Sequence, residues 1–130
     1  MPLYITTIYA LPLMLIWFIL WVRVAKSRAT HNVSIGDGGS KELLSCIRHH
    51  GNFIEWVPFT LILMMLAELQ GAPHSWLYVA GALLLLGRVL HPFGLKADIP
   101  DYPLRYVSNS ANLLAVAILG VALIRIVSGL

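Results

Sequence analysis

Arg48, Asn52 and Glu55 stand at positions i, i+4 and i+7, which on a helix is one face. They head a stretch, Arg48 to Phe59, that opens an apolar run reaching Ala67. Polar side chains at membrane depth are costly and usually serve a purpose there. Two further groups repeat the pattern. Arg88 and His91 are spaced i and i+3, and Arg105, Asn109 and Asn112 again follow i, i+4, i+7. Guanidinium forks suit carboxylates, while Glu55 suits an ammonium group or an arginine. The chemistry implied is capture of a small, anionic, hydrogen-bonding molecule.

Plainer roles exist for the same residues. Arg48 can snorkel to the interface, and Glu55 can form a structural ion pair between spans with Arg88 or Arg48. His49 and His50 are adjacent, so on a helix they point apart, and no metal site is expected. Cys46 reads as a small buried hydrophobe, and as the single cysteine it allows neither an internal disulfide nor a cysteine metal cluster. Arg23, Lys26 and Lys41 read as topology determinants, the tryptophans as interfacial anchors, and Gly81 and Gly87 as points of close helix approach.

The elements that must hold these groups are membrane helices. The chain has 130 residues, 58% hydrophobic and 12% charged, with mean hydropathy +0.79. A soluble domain carries about 25% charged residues, so the fold class is all-α integral membrane. Spans of about 20 residues fall at 3–22, 41–69, 74–95 and 104–127, and residues 1–130 form one membrane domain. The first span lacks a basic leader and a small-residue cleavage site, so it reads as retained rather than as a signal peptide. Arg23 to Ser40 reads as a loop turned by Gly36-Asp37-Gly38-Gly39, with a helix start near Ser40. Pro12 and Pro58 predict bends, and Pro92 bends or ends the third helix. The net charge of +3 is not gathered in a solvated tail, so nucleic acid is no expected partner.

Four spans put the 1–2 and 3–4 connections on one side. Eight of the nine Lys and Arg residues lie at or near that side, and Arg125 alone lies at the other. The positive-inside rule makes the crowded side cytoplasmic and leaves both termini outside. The polar groups Arg28, Arg48, Asn52, Glu55, Arg88, His91 and Arg105 then share one layer near the cytoplasmic interface. Two of its helices present N-terminal ends, whose dipoles favour anions.

The Arg-x-His-x-Asn-x-x-Glu-x-x-Pro segment (Arg48 to Pro58), the Gly36-Asp37-Gly38-Gly39 loop and Gly87-Arg88-x-x-His91 resemble the MAPEG proteins. These are membrane-associated proteins in eicosanoid and glutathione metabolism. The resemblance covers nearly the whole chain, and the glycine-rich loop is similar to the small bacterial branch. It implies a left-handed four-helix bundle assembled as a homotrimer in the bacterial inner membrane, with glutathione at the protomer interface. It assigns glutathione binding to Arg48, Asn52 and Glu55, with His50 between them, and adds Arg28, Arg88 and His91. Arg105 takes the place of the arginine that stabilises the glutathione thiolate. Where relatives often carry tyrosine, this chain has Trp56, Leu95 and Asn109, and Tyr106 is the nearby hydroxyl. Leucotriene- or prostaglandin-type chemistry is therefore not expected.

Three function classes follow. The first is a glutathione transferase or peroxidase acting on a lipophilic electrophile or lipid hydroperoxide. The second is a non-catalytic member binding glutathione, a lipid or a protein partner. The third is a small transporter or channel, disfavoured because no polar stripe crosses to the other side.

Overall fold

The computed structural model describes residues 3–94 and 103–129. Leu95 and residues 96–102 of the connection between the third and fourth spans fall outside the described residues. Four α-helices follow one another: α1 (Tyr4–His31), α2 (Lys41–Leu69), α3 (His74–Gly94) and α4 (Pro103–Ser128). Each is long and apolar enough to cross a membrane, so the protein is an all-α integral membrane protein.

The expected loop from Arg23 is corrected. Arg23, Lys26, Arg28 and His31 lie on α1, which continues to His31. Hydropathy marks where lipid ends, not where backbone hydrogen bonding ends. A helix of 28 residues is about 42 Å long and outreaches a hydrocarbon core of about 30 Å. It stops at Asn32, which adopts a left-handed φ of 53°, and the Val33 amide donates to the Arg28 carbonyl at 3.1 Å. The Arg28 guanidinium donates to the carbonyls of Gly36 (2.9 Å), Ser34 (3.3 Å) and Val33 (3.4 Å). Gly38, at φ 57°, passes so close to Val33 that a Cβ there would sit 2.5 Å from its methyl. Ser40 then caps α2 as expected, its hydroxyl accepting from the Leu43 amide at 3.2 Å.

The start of α1 is capped from outside the helix. Leu3 supplies no side-chain cap. Instead the Glu68 carboxylate, from the end of α2, accepts from the amides of Ile5 and Thr6 at 2.7 Å each. The Thr6 hydroxyl adds a third bond at 2.6 Å. Glu68 sits at the C-terminal end of its own helix, where the dipole disfavours an acid; the α1 N-terminus supplies the compensating donors.

In the bundle α1 packs on α2 and α3, and α4 packs on α2 and α3. The α2 and α3 helices also touch, while α1 and α4 do not meet among the described residues. The core is a column of Leu13, Phe53, Val57, Met64, Leu77, Leu84, Ala115 and Leu119. The expected close approaches at Gly81 and Gly87 are present. The Tyr9 ring of α1 lies directly on Gly81, and a Cβ on Gly87 would meet the Ser108 carbonyl oxygen of α4 at 2.8 Å. Gly94 goes further, since a Cβ there would lie 2.6 Å from the Arg105 amide nitrogen. Small residues let α3 and α4 close on one another. The outer face of α1 leaves Leu11, Met14, Leu15, Phe18 and Ile19 exposed, as lipid contact requires.

Candidate functional site

The embedded polar residues do meet at one end of the bundle, but they divide into an inner and an outer set. The inner set is centred on Arg88. Its side chain is 1% exposed, and its Nη1 donates to Asn52 Oδ1 at 2.7 Å and to the Asn52 carbonyl at 3.3 Å. Its Nε and Nη2 have no partner among the described residues. Arg88 thus grips Asn52 across the α2–α3 contact instead of pairing with Glu55. Burying a guanidinium is costly, and Asn52 offsets part of that cost by accepting from one of its three nitrogens. His91 is buried beside it and meets the buried His49 ring edge-on, with centroids 6.2 Å apart. From α4, the fully buried Ser108 and Asn112 close the set, the Asn112 amide donating to the Ser108 carbonyl at 2.9 Å.

The outer set lies on the bundle surface. Arg48 and Glu55 face each other at 3.7 Å with their side chains 54% and 56% exposed. They belong to the same helix, two turns apart, so the ion pair expected between spans is a loose pair within α2. His50 is half-buried near Trp17 of α1, with ring centroids 6.5 Å apart. Arg105 and Tyr106 are exposed at the start of α4. The stripe expected on α4 therefore winds from an exposed Arg105 through a half-buried Asn109 to a buried Asn112. Arg28 is not brought to either set, since its guanidinium is committed to the loop carbonyls described above.

Two residues read from sequence only as topology markers line a recess. Arg23 and Lys26 of α1, with Ser27, Thr30, Glu42, Ser45 and Cys46, border a space of about 420 Å³ between α1 and α2. Neither cation has a partner among the described residues, and Glu42 leans instead to His31 at 3.9 Å. Ser45 shares a helical face with Arg48, Asn52 and Glu55, so recess and outer set adjoin. The missed signal is the spacing of Arg23, Lys26, Ser27 and Thr30, which is one helical face once α1 is extended. Deeper along the same helices, an apolar groove of about 410 Å³ runs beside Trp17, Phe53, Val57 and Pro58.

The fold and the charge distribution define a membrane protein of four apolar helices with its cationic and polar side chains gathered toward one end. The MAPEG family model matches residues 6–125, and the chain belongs to that family, whose membrane proteins are associated with eicosanoid and glutathione metabolism. Similar proteins include the inner membrane protein YecN of Escherichia coli K12 and that of Escherichia coli O6:H1. Each is 41% identical over 71 residues, which is 55% of this chain and 54% of the relative. The chain thus matches about half the length of these curated relatives. No solved structure matches.

Proposed function

We propose that this protein is a glutathione-dependent transferase or peroxidase of the bacterial inner membrane, working as a homotrimer with both termini outside and the site facing the cytoplasm. The observation that carries the reading is the outer set. Arg48 and Glu55 are exposed on the face of α2 that also holds Asn52, and that face adjoins Arg23 and Lys26, which have no partner among the described residues. Glutathione offers two carboxylates, an ammonium group and peptide amides. The carboxylates suit Arg48 and Arg23, the ammonium suits Glu55, and the Asn52 amide, held by Arg88, suits the peptide. His50 borders the same face and His91 backs it from within. Tyr106 offers a hydroxyl beside Arg105.

The chemistry asked of the site is thiolate formation. A free thiol titrates near ~8.5, and a guanidinium in a low-dielectric site favours the thiolate. Arg105 is the group proposed for this. The thiol proton passes to water and the sulfur attacks an electrophilic carbon, displacing its leaving group. Alternatively, two glutathiones reduce a lipid hydroperoxide to the alcohol and water, leaving the disulfide. The apolar groove beside Trp17 and Phe53 supports a lipophilic acceptor arriving from the bilayer.

Glutathione titration of detergent-purified protein tests both steps. The expected result is thiolate absorbance with wild type and its loss in Arg105→Ala, with glutathione still bound. Unchanged turnover in Arg105→Ala overturns the assignment. A second reading, a non-catalytic binder, is favoured by Trp56 and Asn109, which lack phenolic hydroxyls. It predicts thermal stabilisation by glutathione without thiolate or conjugate.

A further inference from the structure

At the opposite end of the bundle stands Arg125, the one Lys or Arg of its side by the topology above. On α4 it sits one turn from the end of the helix, and antiparallel packing brings it to the start of α3. Its guanidinium carbon lies 5.7 Å from the centre of the Trp76 ring, a cation–π distance. Among the described residues it makes no ion pair or hydrogen bond. The positive end of the α3 dipole points to the same level. Positive charge on this side runs against the orientation rule, and locally it is offset by the negative end of the α4 dipole, since Arg125 lies in the last turn of that helix.

Trp76 also borders two separate spaces. One, of about 130 Å³, lies between Trp76, Ala122 and Arg125. The other, of about 260 Å³, lies along Trp76, Val79 and Ile118 with an apolar lining. A cation and an apolar space thus lie on either side of one indole ring along the α3–α4 seam.

We propose that this seam around Trp76 is a binding site for an anionic phospholipid of the outer leaflet, with the headgroup phosphate on Arg125 and one acyl chain along Val79 and Ile118. Charge complementarity fixes the occupant. The cationic head requires an anion, and the apolar groove requires an alkyl chain covalently joined to it. A free phosphate satisfies only the first and a zwitterionic lipid carries a competing cation beside its phosphate. Trp76 serves as the platform that holds the guanidinium at headgroup level, as aromatic residues do at membrane interfaces.

The test uses full-length protein, delipidated in detergent, with thermal unfolding followed on adding dioleoyl phosphatidylglycerol, dioleoyl phosphatidylcholine or inorganic phosphate. Stabilisation by phosphatidylglycerol alone is expected. Arg125→Gln weakens its apparent affinity by about five- to tenfold, the loss of one charge-assisted contact, and Arg125→Lys restores part of it. Ile118→Trp, which fills the apolar space, abolishes the effect while leaving Arg125 in place. Equal stabilisation by phosphatidylcholine or by inorganic phosphate overturns the proposal. So does a change of oligomeric mass in Ile118→Trp, which makes the seam a contact between copies.

Discussion

At the scale of single residues, the deciding contrast is between Arg88 and Arg48, two arginines with opposite fates. Arg88 is buried and depends on the Asn52 side chain for its shortest hydrogen bond. Removing that acceptor leaves a buried guanidinium with only a 3.3 Å bond to a backbone carbonyl. Asn52→Leu is expected to lower stability by about 1.5–3 kcal/mol, read as a fall in the detergent-phase unfolding midpoint. Arg48 and Glu55 sit more than half exposed with 3.7 Å between their charged atoms. Exposed pairs contribute little, so Glu55→Gln should change stability by less than about 0.5 kcal/mol. The same substitution should weaken glutathione binding in a calorimetric titration if Glu55 receives the ammonium group. A large loss of stability with unchanged binding would make Glu55 structural.

At the scale of elements, the four helices are tied by two devices that act across long sequence distances. Glu68 caps α1 from the end of α2, and small residues on α3 admit α4. Glu68→Ala leaves the Ile5 and Thr6 amides without their acceptor. The expected cost is about 1–2 kcal/mol, the scale of a lost N-cap. Amide exchange should accelerate at Ile5 and Thr6 before it does in α3. Exchange unchanged at those two amides would show that α1 is held by packing alone. On α3, Gly87→Ala forces a methyl against the Ser108 carbonyl, and backbone cannot yield as a side-chain tip can. A loss of about 1–3 kcal/mol is expected, whereas Gly120→Ala, which meets nothing within 4 Å, should be neutral or slightly stabilising.

At the scale of the whole molecule, the distribution of charge and apolar surface sets what surrounds the bundle. The outer face of α1 exposes Leu11, Met14, Leu15, Phe18 and Ile19, and lipid or a second copy must cover it. Homotrimer assembly predicts a detergent-corrected mass of three copies by light scattering. A monomeric mass that persists across mild detergents, with full glutathione binding, would count against a site shared between protomers. Orientation is tested separately: cysteines placed at Ser34 and at Ser128, in a Cys46→Ala background, should differ in labelling by an impermeant reagent. Ser128 should react from the periplasmic side and Ser34 should not.

The spans, the start of α2 at Ser40 and the close approaches at Gly81 and Gly87 were legible in the sequence by itself. Each depends on a local property: a run of apolar residues long enough to cross lipid, a hydroxyl placed to receive an amide, a side chain small enough for a neighbour. Clustering of the polar groups at one end was legible too, because up-and-down topology follows from short connections. The tertiary structure alone decided how those groups divide. Arg28, Arg48, Arg88 and Arg105 look alike in sequence, yet one holds a loop, one is buried against Asn52 and two are exposed. Periodicity shows which residues share a face but not which neighbour that face meets. Likewise Glu68 drew no notice as the end of an apolar run, because its partners are Ile5 and Thr6, more than sixty residues earlier. A hydrogen bond of that separation has no signature in the chain; it exists only once two helices have been laid side by side.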